Sequence, residues 1–325
     1  MSKPLRGRHF LTTQDWTDAE LELLLETAAD LKRKFHRQEP HRLLLDKTLF
    51  MMFYEQSTRT RNSFEAGMTQ LGGHAHDLTP DKLQISHGET AADTAMVLSR
   101  YGHGIAIRNC DWGIGNLFMR EVAAISRVPV INMQCDLYHP CQGIADLMTI
   151  REKFRGQLQG RKFVLSWTYA PNYVRPMSVP HTEILLMARF GLDVTLAHPP
   201  EFKLKPEIIH QAEANARKSG VRFEIVDDMN AAFAGAHIVY PKSWGCLVHE
   251  PDRAAAVAHI EKYPGWICNE ERLNLTAEGS IYMHPLPVSR GQEVTDAVID
   301  GPHSVVWDQA ENRLHTAKAL MALTM

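Results

Sequence analysis

Short apolar runs alternate with longer amphipathic segments along this chain, and this alternation limits its fold more than any other feature. Residues 47–54 are almost entirely apolar, which is typical of a strand buried on both faces. A helix is predicted to follow from Thr58 and to end at Gly72-Gly73. Strands that alternate with helices predict an α/β fold built on parallel sheets, with helices on both faces.

The same alternation continues to the end of the chain and divides into two parts. A length of 325 residues favours two domains, and a polar break near residue 152 separates two α/β patterns. Further strands are predicted at residues 74–78, 104–108, 128–132, 163–167, 193–198, 222–226, 237–241 and 280–284. Helices are predicted at residues 15–37, after His139-Pro140, at 178–190, at 206–219 and within 305–323.

Charge and composition exclude several classes of protein. The net charge is −3, which gives no indication of nucleic acid or of an anionic membrane surface as a partner. No stretch approaches the roughly 18 apolar residues of a membrane helix, and the first residues lack the apolar core of a signal peptide. The five cysteines are irregularly spaced and odd in number, so we expect reduced thiols and a cytoplasmic protein.

The segment Ser-Thr-Arg-Thr-Arg at residues 57–61 lies where the first buried strand turns into a helix. The first turn of a helix offers unpaired N–H groups and the positive end of the dipole. The hydroxyls of Ser57, Thr58 and Thr60 add donors, and Arg59 adds a planar fork suited to phosphate. The segment therefore predicts a phosphate site, or else an N-cap at Ser57 followed by surface arginines; spacing alone favours neither.

Other polar residues also follow predicted strands, where ligands of parallel α/β folds bind. His139-Pro140-Cys141-Gln142 places a histidine and an amide at a helix start, where they can hydrogen-bond a carbonyl oxygen and an NH₂ group. Taken alone, this segment is explained more simply as a capping motif with a satisfied histidine. Arg108 closes a strand and points into the crevice, unless it forms a surface ion pair.

Two further segments complete the set. His-Pro-Leu-Pro at residues 284–287 has two prolines that stiffen a turn and leave its carbonyls exposed to accept hydrogen bonds. Glu-Asn-Arg at residues 311–313 lies in the last helical region. The alternative interpretation of residues 284–287 is a plain rigid turn, and that of residues 311–313 is a solvated polar surface.

In this order along the chain, these segments resemble the aspartate and ornithine carbamoyltransferase family over essentially the whole length. The resemblance implies two Rossmann-like domains with parallel sheets. Residues 1–150 would bind carbamoyl phosphate, and residues 151–304 would bind the amine acceptor. It also implies that the terminal helix, within residues 305–325, crosses back to the first domain, and that active sites form between the subunits of a homotrimer.

The resemblance implies a carbamoyl-phosphate site in which Arg108, His139 and Thr60 are catalytic, because they can stabilise the oxyanion that forms at the carbamoyl carbon. Gln84 belongs to a segment that resembles the mobile loop reaching into the neighbouring subunit, and ornithine-type enzymes carry a glutamine there. The complete carbamoyl-phosphate set is Ser57, Thr58, Arg59, Thr60, Gln84, Arg108, His139, Gln142, Leu286 and Arg313.

The segment Tyr-Pro-Lys-Ser-Trp-Gly at residues 240–245 indicates which class of amine acceptor the chain uses. Aspartate-type enzymes carry Arg-x-Gln there, and plain ornithine enzymes carry an acidic residue followed by Ser-Met-Gly. Lys-Ser-Trp instead resembles the branch that acts on N-acylated ornithines, and residues 167–176 resemble the loop that knots the second domain of that branch. The predicted acceptor-binding residues are Lys242, Ser243, Trp244, His284, Pro285 and Leu286.

The resemblance implies transfer of a carbamoyl group from carbamoyl phosphate to the amine of an ornithine-like amino acid, N-acylated or not, without a metal or other cofactor. Three alternatives stay open. The same site could catalyse the phosphorolysis of a carbamoylated compound in catabolism. It could also transfer the carbamoyl group to another amine, such as putrescine or a diamino acid. A non-catalytic paralogue is the third, but it would have no reason to keep Arg59, Arg108, His139 and Gln142 together.

Overall fold

The structure is a computed structural model that describes residues 5–171 and 174–325, apart from the side chain of Ser86. The chain divides into two compact units. Unit 1 comprises Met1–Ala145 and Ala310–Met325, and unit 2 comprises Asp146–Gln309. Each unit has its own parallel sheet, so the predicted α/β fold with two parallel sheets is confirmed.

The sheet of unit 1 has the strand order β2-β1-β3-β4, and every neighbouring pair is parallel. Its central strands are buried along almost their whole length, whereas the edge strand β2 alternates between exposed and half-buried residues up to its buried last residue, Leu78. The strands are β1 (Thr48–Phe53), β2 (His74–Leu78), β3 (Gly104–Asn109) and β4 (Val130–Cys135). The helices are α1 (Asp18–His36), α2 (Arg59–Gln70), α3 (Ala91–Tyr101), α4 (Gly115–Ile125) and α5 (Pro140–Lys153).

The sheet of unit 2 has the order β7-β6-β5-β8-β9 and is also parallel throughout. The strands are β5 (Lys162–Ser166), β6 (Asp193–Ala197), β7 (Phe223–Val226), β8 (Ile238–Pro241) and β9 (Ile281–Tyr282). The helices are α6 (Ser178–Arg189), α7 (Pro206–Ser219), α8 (Met229–Phe233), α9 (Arg253–Ile260), α10 (Glu270–Leu273) and α11 (Asp296–Ile299).

The terminal helix α12 (Val306–Thr324) contributes all its residues from Ala310 onward to unit 1. Met321 and Lys318 of α12 pack against Gly67 of α2. The contact is close: a side-chain Cβ at position 67 would lie 3.0 Å from Met321 Cε and 3.2 Å from Lys318 Cγ. The prediction that the terminal helix returns to the first domain is therefore confirmed. Among the described residues, none of the helices combines the length and the apolar character needed to cross a membrane.

Several predicted boundaries were wrong by a few residues. The strand predicted at 128–132 is Val130–Cys135, and the strand predicted at 280–284 is only Ile281–Tyr282. The helix predicted at 15–37 is Asp18–His36. The loop expected to form a knot includes Asn172 and Tyr173, which lie outside the described residues, so the knot stays a prediction.

Candidate active site

The candidate site of unit 1 is built where three neighbouring strands end. Because β1, β3 and β4 are adjacent and parallel, their carboxyl ends meet at one edge of the sheet. Phe53 pairs with Arg108, and Arg108 pairs in turn with Gln134 across a register shift. The Ser57–Thr60 segment follows β1 and His139 follows β4, so the topology alone directs these residues to the same edge.

The start of α2 provides the first part of this site. The helix begins at Arg59, and Thr58 is its N-cap, so the N-cap predicted at Ser57 was wrong by one residue. The Thr58 side chain makes no capping hydrogen bond. Ser57 and Arg59 are half-buried, while Thr58 is exposed. A helix start without a side-chain cap keeps the amides of its first turn and the positive dipole end available to an anion.

Four residues, which we call the Thr60 cluster, come together behind that helix start: Thr60, Arg108, Gln142 and Arg313. The Arg313 guanidinium donates from Nη2 to Thr60 Oγ1 over 2.9 Å and from Nη1 to Gln142 Oε1. Arg108 Nη1 lies 3.5 Å from the same Thr60 oxygen. Thr60, Gln142 and Arg313 are buried. Two guanidinium groups thus converge on neutral oxygen atoms, which concentrates positive charge at this point.

Glu55 is a residue of this region that the sequence patterns did not identify. Its Oε2 lies 4.0 Å from Arg108 Nε, and its Oε1 accepts the Cys110 backbone N–H over 2.7 Å. Burial raises the pKa of the Glu55 carboxyl, and the hydrogen bond from Cys110 and the charge of Arg108 only partly oppose this effect. Glu55 therefore lies at the limit of ion-pair distance from Arg108, while its other oxygen is fixed by the Cys110 backbone.

The remaining residues predicted in unit 1 differ in where the structure places them. His139 is buried, and its carbonyl accepts the Gln142 N–H over 2.9 Å at the start of α5. Gln84 is exposed, and its Oε1 lies 3.0 Å from His87 Nδ1. In the described part of the chain, Gln84 makes no hydrogen bond to the Thr60 cluster. Arg61 forms an ion pair with Asp77, so it is held apart from the cluster.

Unit 2 contains a second polar group, which we call the Glu293 cluster: Glu293, Arg175, Lys242 and His284. The Glu293 carboxylate is fully buried. Its Oε1 accepts the Ser243 N–H over 2.8 Å and lies 3.3 Å from His284 Nε2. Its Oε2 lies 3.1 Å from Arg175 Nη2. The sequence patterns identified Lys242, Ser243 and His284 but missed Arg175 and Glu293.

Charge interactions fix the protonation of this second cluster. Burial by itself would raise the pKa of Glu293, but the hydrogen bond of His284, the positive charge that His284 carries when it is protonated, and the charges of Arg175 and Lys242 lower it to about 2. Burial lowers the pKa of His284, so its imidazole is neutral at pH 7. With His284 neutral, two cations surround one carboxylate, and the cluster carries a net charge of about +1.

The other predicted acceptor residues lie around this cluster. Lys242 is buried, and its Nζ donates to the Ser243 carbonyl over 2.7 Å. Trp244 is fully buried and donates from its indole N–H to the Phe202 carbonyl over 2.8 Å. Pro285 is buried, while Leu286 is half-buried and has a φ of +52°. A positive φ is uncommon for leucine and is found mainly where a local role requires it.

Known proteins resemble this chain along its whole length. The family model described as aspartate/ornithine carbamoyltransferase, carbamoyl-P binding domain, matches residues 8–152. The model described as aspartate/ornithine carbamoyltransferase, Asp/Orn binding domain, matches residues 176–324. The ornithine carbamoyltransferase of Thermococcus kodakarensis is 42% identical over 99% of this chain and 97% of its own length.

Solved structures agree with these matches. The ornithine carbamoyltransferase of Pyrococcus furiosus superposes with a TM-score of 0.89 at 41% identity, covering 98% of this chain and 97% of its own. A variant of an N-acetyl-L-ornithine transcarbamylase, solved with carbamyl phosphate and N-succinyl-L-norvaline, has a TM-score of 0.90 at 36% identity. That match covers 98% of this chain and 100% of the other.

Proposed function

This chain belongs to the aspartate/ornithine carbamoyltransferase family, and we propose that it moves a carbamoyl group from carbamoyl phosphate to the amine of ornithine or of an N-acylated ornithine. Phosphate is the second product. Unit 1 binds carbamoyl phosphate, and unit 2 binds the amine acceptor.

The observation that carries this proposal is the convergence of Arg108 and Arg313 on Thr60 Oγ1 beside the uncapped start of α2. A small dianion needs fixed donors and positive charge in one place, and guanidinium groups with helix amides supply both. Arg59 and the first turn of α2 bind the phosphate, together with the hydroxyls of Ser57 and Thr58. Gln142 and His139 bind the carbamoyl end, and Arg313 completes the part of the site that unit 1 supplies.

The chemistry follows from these positions. The lone pair of a neutral amine attacks the carbamoyl carbon, and the carbonyl oxygen takes up negative charge. Arg108, His139 and Thr60 stabilise that oxyanion by donating hydrogen bonds to it. The bond between the carbamoyl carbon and the phosphate oxygen then breaks, and the departing phosphate is stabilised by Arg59 and the helix start. The attacking nitrogen gives up a proton, which leaves with the phosphate. Because only the neutral amine can attack, the rate rises with pH as free amine becomes available.

The charge of the Glu293 cluster supports an acceptor that carries a carboxylate. Its two cations, Arg175 and Lys242, exceed its single anion by one charge while His284 is neutral. Adding a carboxylate to a buried site with a net positive charge is favourable, whereas adding the two ammonium groups of putrescine is not. We therefore place ornithine and its N-acylated derivatives ahead of putrescine, with Lys242 as the group that pairs with the carboxylate.

The protein is proposed to act as a homotrimer in which the segment carrying Gln84 reaches the site of a neighbouring subunit. The exposure of Gln84 and its bond to His87 are consistent with a role outside its own subunit. Sedimentation equilibrium that shows an active monomer would refute the trimer. The cytoplasmic location also stays a prediction.

The carbamoyl-phosphate site is tested most directly by calorimetry on Arg59→Ala. We expect this variant to lose carbamoyl phosphate binding while keeping the circular dichroism spectrum and unfolding midpoint of the wild type. Arg61→Ala is the matched control, because Arg61 belongs to the same segment but pairs with Asp77. Unchanged affinity in Arg59→Ala would overturn the assignment, as would an equal loss in both variants.

A further inference from the structure

Unit 1 contains a group of metal-binding side chains apart from the Thr60 cluster. His36, Glu311 and His315 each offer one ligand atom, and these atoms all lie within 4.8 Å of one another. Glu311 Oε1 is central, at 2.9 Å from His36 Nε2 and 3.3 Å from His315 Nε2. We propose that His36, Glu311 and His315 form a binding site for a divalent transition metal ion, with Zn²⁺ as the best-matched ion.

Secondary structure fixes this arrangement. Glu311 and His315 are four residues apart on α12, a spacing that puts two side chains on the same face of a helix. His36 is the last residue of α1, where the negative end of the helix dipole favours a cation. The three ligands therefore come from two helices that already lie side by side, and Lys32 Nζ confirms this proximity by donating to Asn312 Oδ1 over 2.8 Å.

Two of the three ligand separations suit tetrahedral coordination. Zn²⁺ binds histidine nitrogen and carboxylate oxygen at about 2.0–2.2 Å, which separates neighbouring ligand atoms by about 3.3 Å. The two separations at Glu311 differ from that value by only a few tenths of an ångström. Two imidazoles and one carboxylate are also a donor set that zinc accepts readily and that Mg²⁺ and Ca²⁺ do not prefer.

Exposure shows how an ion would enter. The His315 side chain is fully buried and therefore fixed, the Glu311 side chain is 34% exposed, and that of His36 is 56% exposed. His36 can thus close onto an ion held by the other two residues, and a water molecule can take the fourth position. The bound ion would link the end of α1 to α12, so it should stabilise the folded chain in proportion to its concentration and affinity.

The test is titration of the full-length, metal-free protein with Zn²⁺ by calorimetry and with Co²⁺ by visible absorption. We expect binding of one ion per chain, with the intense ligand-field bands of tetrahedral Co²⁺. His36→Ala and Glu311→Gln should each weaken binding by more than about tenfold, because loss of even an outer-shell partner costs about 10- to 100-fold. His36 is exposed, so its removal leaves the fold intact.

His74→Ala is the matched control, because it removes an exposed histidine of unit 1 that lies outside the cluster. It should bind Zn²⁺ and Co²⁺ as the wild type does. The proposal is overturned if the wild type binds neither ion, if Co²⁺ shows only the weak bands of a hydrated ion, or if His36→Ala and Glu311→Gln bind as tightly as His74→Ala.

Discussion

The Thr60 cluster of unit 1 and the Glu293 cluster of unit 2 are both buried and rich in cations, but their charges are arranged in opposite ways. In the Thr60 cluster, Arg108 and Arg313 converge on the neutral oxygen of Thr60. In the Glu293 cluster, the donors surround a carboxylate that belongs to the protein. In the first arrangement the two guanidinium groups meet at a neutral oxygen, with the Glu55 carboxylate 4.0 Å from Arg108 Nε, whereas in the second arrangement the cations meet at a carboxylate of the protein.

This difference predicts that substitutions in the two clusters have different consequences. Removing a cation from the Thr60 cluster should affect binding and catalysis more than folding. Removing the central anion from the Glu293 cluster should affect folding first, since it leaves buried cations without their carboxylate.

The largest effect is expected for Glu293→Ala. Removing one partner of a buried ion pair costs about 3–5 kcal/mol, because the remaining charge stays buried without compensation. Urea unfolding followed by circular dichroism should show this loss in the free energy of unfolding. A loss as small as that of a surface ion pair would show that Glu293 is not the structural centre of its cluster.

The next largest effect is expected for Arg108→Ala. Loss of one oxyanion donor typically lowers kcat about 10²- to 10³-fold, and phosphate release in the steady state measures it. The unfolding midpoint should change little, because Arg108 is at the edge of its cluster and 17% of its side chain is exposed. Equal kcat values in the variant and the wild type would remove Arg108 from the catalytic residues.

The pH dependence of stability should separate the clusters further. The pKa of Glu293 falls from 4.5 to about 2 on folding, so its stabilisation is complete above pH 4.5 and is lost as the pH falls towards 2. The lost stability is about 3 kcal/mol, since a tenfold change in proton affinity corresponds to about 1.4 kcal/mol.

The difference in unfolding free energy between the wild type and Glu293→Gln isolates this contribution from other groups. One such group is Glu183, whose pKa is raised by burial, so that its contribution is lost as the pH rises above 4.5. The difference between wild type and Glu293→Gln should shrink between pH 5 and pH 2. A constant difference over that range would contradict the low pKa of Glu293.

The smallest effect is expected for Arg61→Ala. Arg61 pairs with Asp77 and has its guanidinium carbon 4.2 Å from the centre of the Phe53 ring. Loss of a partly exposed ion pair and of a cation–π contact should cost about 1 kcal/mol, measurable by urea unfolding. Since Arg61 is held apart from the Thr60 cluster, kcat should not change. A large fall in kcat would show that Arg61, like Arg108, contributes to catalysis.

Thr60, Arg108 and Gln142 are predictable from the sequence because each lies at or just after the end of a strand, whereas Arg313 lies within α12 and is indicated only by the family resemblance. The apolar run at 47–54 predicts β1, and the polar residues after it are therefore predicted to lie at a carboxyl end of the sheet. The strand β4 was harder to delimit. Its buried residues include Asn132 and Gln134, and the Asn132 side chain donates to the Leu11 carbonyl over 2.8 Å, so an apolar run does not show its true extent.

Arg175 and Glu293 could not be identified in the same way. Each is a single charged residue in a connecting segment, with no neighbouring pattern that separates it from solvated surface. They are 118 residues apart in sequence and are brought together only by the tertiary fold. Glu55 was missed for a similar reason, because its partners Arg108 and Cys110 belong to a different strand end.

The proposed function is a single reaction, and mass spectrometry of the products tests it most directly. The enzyme would be incubated with carbamoyl phosphate and, separately, with ornithine, N-acetylornithine, N-succinylornithine, putrescine, aspartate and other diamino acids. We predict that ornithine or an N-acylated ornithine gains the mass of one carbamoyl group, with one phosphate released per product and no product from Arg59→Ala. If no ornithine-type acceptor is carbamoylated, or if putrescine or aspartate is the preferred acceptor, the central claim is contradicted.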